Sequence, residues 1–276
     1  MALIINGQVG WKSGVVAPSI SYLLDTYSGA AAAYSLRKLR TAYTGNCITV
    51  RRSSDNTSQS FGFDNTGYVD IASITTFLNT SQQGYVTTWF DQSGNGNNAT
   101  QPTAANQPFI KKDWSFITMN SKNALLCEFG YFLMGNILIG TSASSVFWLG
   151  KNAYTSSVDR NTIWEIGKPD TSHFKYTNGI TYDGFSSTTR KSWTDSINYS
   201  NRNLINAYSQ NGLYNIYVNN SSVYNTTTNT YNITSVNNLG NASYFGTLQE
   251  FVLYPSNQTT NRIGVSSNIN SFYSIY

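Results

Sequence analysis

The run Tyr85-Val86-Thr87-Thr88-Trp89-Phe90, followed at once by Asp91-Gln92-Ser93-Gly94-Asn95-Gly96-Asn97, decides how the rest of the chain is read. Its first half is β-branched and aromatic, which suits a pleated, half-buried surface. Its second half concentrates Asp, Asn, Ser and Gly, which close turns by bonding their own backbone or by tolerating positive φ. Together they read as a strand ending in a tight loop. Toward the C-terminus the same unit recurs: strand-like runs at 146–149, 162–166, 204–209, 214–218 and 249–254 alternate with Asn/Gly/Ser turns, at intervals typical of sandwiches. The piece from Gly212 to Asn220 reads as a hairpin whose strand enters an Asn-rich turn. The expected fold is an all-β, jelly-roll-like sandwich.

Toward the N-terminus two helices are expected. Residues 29–43 hold Ala30 to Ala33, then Leu36 and Leu39, and end at Gly45, a helix-favouring composition at helical spacing. At 70–78, Asp70 can cap, and Ile71, Ile74 and Leu78 recur at i, i+3 and i+7. Residues 1–20, with Gly7, Gly10, Gly14 and Pro18, read as an irregular leader able to anchor the chain to a neighbour. No internal repeat or Pro/Gly-rich linker divides the remainder, so 21–276 is expected to be one domain.

Composition narrows the function. Of 276 residues only 11% are charged and 14% are aromatic, while 40% are hydrophobic, enough for a sizeable core. The net charge of +4 comes with only two short basic runs, Arg37-Lys38-Leu39-Arg40 and Arg51-Arg52, too sparse for a nucleic-acid footprint. Arg51 and Arg52 point to opposite faces of a strand, so one can turn inward to Asp55 or Asp91 while the other stays wet. Cys47 and Cys127 lack zinc spacing; they either pair across the sandwich or stay as buried thiols. No cofactor or metal is expected. The first ten residues lack the pattern of a signal peptide, and the apolar run at 129–139 is broken by Gly130, Gly135 and Asn136, so no membrane insertion is expected. An extracellular-looking composition without an export signal suits a particle assembled in a cell and released by lysis. Such particles are built from symmetric copies, so a closed homo-oligomer such as a trimer is expected, in contact with other virion proteins.

Two blocks, Tyr43-Thr44-Gly45-Asn46-Cys47-Ile48-Thr49-Val50-Arg51-Arg52-Ser53-Ser54-Asp55 and Trp89-Phe90-Asp91-Gln92-Ser93-Gly94-Asn95-Gly96-Asn97, resemble the catalytic domain of fungal α-L-arabinofuranosidase B in order and spacing. With Leu24 to Ser35 before them they are also similar to modules of phage virion and tail proteins. The resemblance covers about 23–110 and extends weakly through Gly246-Thr247-Leu248-Gln249-Glu250. It implies a concanavalin A-like lectin/glucanase sandwich. It also implies a retaining pair of carboxylates, one nucleophile and one acid/base. The acid/base segment corresponds to Asn237-Asn238-Leu239-Gly240-Asn241-Ala242-Ser243, which has no carboxylate; Glu165, in Trp164-Glu165-Ile166-Gly167, falls loosely at the nucleophile position, and Leu126-Cys127 at a vicinal cysteine pair.

From these departures no catalytic residue is expected. The lone His173 has no nucleophile partner that sequence can identify. Asp91 either closes an Asx-turn held by Gly94 and Gly96 or helps to bind calcium. Trp164, Tyr182, Trp193 and Tyr199 either stack on sugar rings or fill the core. The expected function is a virion structural protein, enzymatically silent, that presents a lectin-like face to a host cell-surface glycan. An architectural virion component and an active arabinofuranosidase-like hydrolase are the alternatives.

Overall fold

Strands form wherever apolar residues alternate with Ser, Thr and Asn, because successive side chains of an extended chain point to opposite faces. A computed structural model describes residues 21–158, 161–167, 172–233 and 237–276, and the expected leader at 1–20 lies outside them. In chain order the N-terminal half contains α1 (Leu23–Thr26), β1 (Ala32–Ser35), β2 (Ile48–Arg52), β3 (Ser58–Phe61), α2 (Ile71–Leu78), β4 (Gly84–Trp89) and β5 (Ala99–Thr100). There follow β6 (Phe109–Lys112), β7 (Ser115–Phe116), β8 (Thr118–Met119), β9 (Lys122–Asn123), β10 (Leu125–Glu128) and β11 (Phe132–Leu133). The C-terminal half contains β12 (Ala143–Asn152), β13 (Trp164–Ile166), β14 (Ile180–Asp183), β15 (Lys191–Thr194), β16 (Asn203–Gln210), β17 (Leu213–Val218), β18 (Ser221–Thr226), β19 (Asn237–Leu239), β20 (Phe245–Tyr254) and α3 (Arg262–Tyr273).

The main antiparallel sheet runs β13-β19-β11-β5-β4-β6-β10-β20-β12-β16-β17-β18, with β2 and β3 continuing outward from β4 and β1 lying beside β20. Its inner faces meet in one core, where Ile48, Trp89, Phe132, Trp164 and Leu239 join Val146, Trp148, Ile205, Ile216 and Phe251. This is the all-β sandwich that the strand pattern predicts. A second apolar cluster lies on the other face of β12, β16 and β20, where Phe147, Leu149, Leu204 and Val252 are covered by Leu23 and Leu24 of α1 and by Val265, Ile269 and Tyr273 of α3.

The helix expected at 29–43 is not there. Ala32 to Ser35 instead form β1, registered on β20 from Ala32↔Leu253 to Ser35↔Glu250 and buried along its whole length. Burial on both faces against a long strand outweighs the alanines' intrinsic helix preference, a matter of tenths of a kcal/mol per residue. The helix at 70–78 is present as α2, with Asp70 accepting from the Ser73 amide at 3.0 Å. The expected hairpin also forms: Val218 pairs with Ser221 across Asn219 and Asn220, both at positive φ, the conformation that a two-residue I′ turn demands.

The Asp91 loop is a staple. Its Oδ1 accepts from the amides of Ala33 (2.9 Å) and Ser93 (2.8 Å), and its Oδ2 accepts from the Asn97 amide (3.0 Å) and the Ser93 hydroxyl (2.7 Å). Gly94 and Gly96 turn the loop at positive φ. Four donors occupy both oxygens, which is the Asx-turn and not a cation site. Gln92 extends the staple, taking the Leu39 amide on its oxygen and donating to the carbonyls of Ser35 and Arg37. Arg52 pairs with Asp55 at 2.6 Å, while Arg51 lies over the Tyr85 ring. Cys47 and Cys127 are free and buried, and burial holds both thiols protonated.

Candidate functional site

Three of the four aromatic residues proposed to face sugar are in the core. Trp164, Trp193 and Tyr199 are 1%, 8% and 2% exposed. Phe174 meets all three rings edge-on. Their polar atoms are spent internally: the Trp164 indole donates to Asp183 at 2.9 Å, and the Trp193 indole and Tyr199 hydroxyl donate to Asp195 at 2.8 and 2.9 Å. Burying the indole and phenol on carboxylates satisfies them without water and leaves no face for a ligand. Tyr182 is half-buried, with the Arg190 guanidinium 4.5 Å above its ring. The same arginine reaches His173 Nδ1 at 2.6 Å.

Glu165 has the opposite fate. On β13 it sits between two buried neighbours and points to the open face of the sheet. β13 pairs with β19 in the register Trp164↔Leu239, Glu165↔Asn238 and Ile166↔Asn237, so residues more than 70 positions apart become direct neighbours. Asn238 Nδ2 donates to Glu165 Oε2 at 3.2 Å, and Asn241 Nδ2 donates to Oε1 at 3.0 Å. The backbone brings Asn241 back to the carboxylate through Gly240, whose φ of +76° suits glycine and whose amide donates to Ile163 O at 3.0 Å. Asn241 is in turn oriented by the Ser243 amide, which donates to its Oδ1 at 2.9 Å.

Both oxygens of this half-buried carboxylate are thus held by planar amides, and neither is paired with a Lys or Arg among the described residues. Such a group is an anchored oxygen nucleophile or hydrogen-bond acceptor at the edge of an open sheet face. The other buried acids are committed elsewhere. Asp183 is pushed up to about 6 by burial, against the pull of bonds from Tyr214 and Trp164, and Glu250 is locked to Arg37. Sequence reasoning placed Glu165 and the 237–243 segment separately. It missed that two asparagine amides of that segment grip the carboxylate, since only the β13–β19 register reveals it.

Comparison with known proteins finds a family model that matches part of the chain and solved structures that share its fold. The model of the α-L-arabinofuranosidase B catalytic domain matches residues 24–122. An α-L-arabinofuranosidase of glycoside hydrolase family 54, soaked with a cyclic sulfate inhibitor, superposes with a TM-score of 0.65 at 18% identity, over 90% of this chain and 64% of its own. An arabinofuranosidase complexed with arabinofuranosyl-α-1,2-xylobiose gives 0.64 at 18% with the same coverage. A glutamate-to-glutamine mutant of a family 54 enzyme, soaked with 4-nitrophenyl α-L-arabinofuranoside, gives 0.65 at 17%. The chain therefore spans 64% of the length of these enzymes. Among curated proteins none matches in sequence. The expectation of an enzymatically silent, lectin-like virion protein is overturned by the family match, which over residues 24–122 falls on a glycosidase catalytic domain.

Proposed function

We propose that this chain is an arabinofuranosidase-like glycoside hydrolase domain in which Glu165 is the attacking carboxylate. One observation carries the reading: the strand that holds Glu165, which the sequence resemblance sets loosely at the nucleophile position, pairs with the segment that the same resemblance sets at the acid/base position, and Asn241 of that segment touches the carboxylate at 3.0 Å. In a retaining glycosidase the two groups lie about 5 Å apart, across the bond to be broken. The pairing of β13 with β19 supplies that proximity.

The chemistry follows from the residues present. A Glu165 oxygen attacks the anomeric carbon of a pentofuranoside, the bond from that carbon to the leaving oxygen breaks, and a glycosyl ester forms on Glu165. Water then cleaves the ester, which releases the sugar and restores the carboxylate. Asn241 is an amide and donates no proton, so the departing oxygen takes its proton from water. Its amide instead fixes the angle of the nucleophile, and hydrogen bonding to the leaving or ring oxygens falls to the neighbouring amides. Leaving-group acidity then governs the rate, and aryl glycosides turn over faster than sugar-linked ones.

The test is release of 4-nitrophenol from 4-nitrophenyl α-L-arabinofuranoside by the purified protein. Turnover above background, abolished in Glu165→Gln with an unchanged melting temperature, is the expected result. Equal rates in the two proteins would remove Glu165 from the mechanism. Asn241→Asp places a second carboxyl beside the first, and like charges at that distance raise one pKa. That variant is expected to gain at least tenfold on unactivated glycosides and to acquire a falling alkaline limb in its pH profile.

A further inference from the structure

The open face of the sheet continues away from Glu165 as a single row that crosses the strands and follows their twist. Reading the register strand by strand, Glu165 is opposite Asn238, Asn238 opposite Leu133, Leu133 opposite Thr100, Thr100 opposite Thr88, and Thr88 opposite Thr49. Directly opposed residues of an antiparallel pair share a face, so these six side chains lie side by side. The neighbouring row faces the other way: Trp164, Leu239, Phe132, Ala99, Trp89 and Ile48 are all buried. All six members of the outer row are at least partly exposed. Past Glu165 the row carries no charge, and the hydroxyls of Thr88 and Thr100 have no hydrogen-bond partner among the described residues.

We infer that this row is a binding track for the main chain of a neutral polysaccharide, laid across the strands with its branch sugar at Glu165; the inference rests on the hydrolase reading above for the identity of that branch. Three features select this occupant. Five inter-strand steps of about 4.8 Å make a track on the order of 24 Å long, and that step is close to the advance per residue of an extended chain of linked pyranose rings. Short hydroxyls and one amide offer both donors and acceptors to sugar hydroxyls, while Leu133 offers an apolar contact to a ring face. The absence of charge suits a neutral chain and offers nothing to a phosphate or an acidic peptide. Each contact is weak, so affinity accumulates along the row.

Two exposed positions test it independently, Thr100→Lys and Leu133→Lys, each of which raises a hydrated cation into the track. The substrates are xylan bearing arabinofuranosyl branches and 4-nitrophenyl α-L-arabinofuranoside. For each variant the ratio of kcat/KM on the polymer to that on the aryl glycoside is expected to fall at least tenfold. A ratio within twofold of the parent for both variants, with melting temperatures retained, would overturn the track. Affinity electrophoresis of Glu165→Gln in gels containing the same xylan separates this idea from the hydrolase reading. Retardation that Thr100→Lys relieves supports the track even if the parent protein proves unable to cleave either substrate, and migration unaffected by xylan refutes it.

Discussion

Trp164 and Glu165 are adjacent in sequence, and the period-two alternation of β13 sends one into the core and the other to the open face. The buried partner of Trp164 makes a prediction of its own. Asp183 is fully buried on bonds from Trp164 and Tyr214, and desolvation raises its pKa to about 6 from an ordinary value of 3.8. The folded state therefore holds a proton that the unfolded chain has released between those two values. Stability due to this group is present below about pH 4 and is lost as pH rises through 6. Two pKa units correspond to at most about 3 kcal/mol. Asp183→Asn keeps the acceptor for the indole and removes the titration. The difference in melting temperature between parent and variant should thus shift in favour of the variant between pH 4 and pH 7, as measured by calorimetry at both values. A constant difference would mean that Asp183 is already charged in the fold at low pH.

At the scale of elements, the clearest sequence signals were those in which side chain and backbone agree locally. Asp70 with Ser73 is such a case: the cap bonds both the amide and the hydroxyl of Ser73. Asp70→Ala should cost about 1 kcal/mol in a denaturant titration, with an unchanged m-value; no loss would mean that burial of Ile74 and Leu78 alone holds α2. The Tyr85 to Asn97 block was legible for the same reason, because its strand and its Asx-turn are both written in local chemistry. The segment at 29–43 was not. Its alanines favour a helix in isolation, and only the distant strand β20 makes a buried β1 the better state. α3 carried no signal, since its run Arg262 to Tyr273 is mostly polar and buries only Val265, Ser266, Ile269 and Tyr273. The candidate site was half legible. Glu165 and the 237–243 segment each stood out by resemblance, but their contact depends on a strand register that no local pattern encodes. The aromatic residues misled because Trp and Tyr serve a core and a sugar platform equally well, and burial alone decides between them.

At the scale of the whole molecule, one buried ion pair ties together elements from the two ends of the chain. Arg37, just past β1, donates from Nε and Nη2 to the two carboxylate oxygens of Glu250 on β20, both at 2.8 Å, and the Ser35 hydroxyl adds a third donor at 2.7 Å. Phe272 and Tyr273 of α3 close over the guanidinium, 4.9 and 5.7 Å from its centre. The pair thus lies where β1, β20 and α3 meet, and the work of Glu250 in this fold is architectural. Removing one partner leaves the other charge buried and unpaired, which costs about 3–5 kcal/mol. Glu250→Gln should therefore lower the melting temperature by on the order of 10 °C. Replacing both, as Arg37→Met with Glu250→Leu, removes the desolvation of two charges along with their attraction, and it should recover most of that loss. The non-additivity of the two single variants measures their coupling. Because α3 and β1 lie away from the Glu165 row in the strand order, the hydrolysis of the aryl arabinofuranoside that we propose should follow the folded fraction in every one of these variants. Loss of activity in fully folded double variant would show that this junction also sets the geometry of β19 and β13.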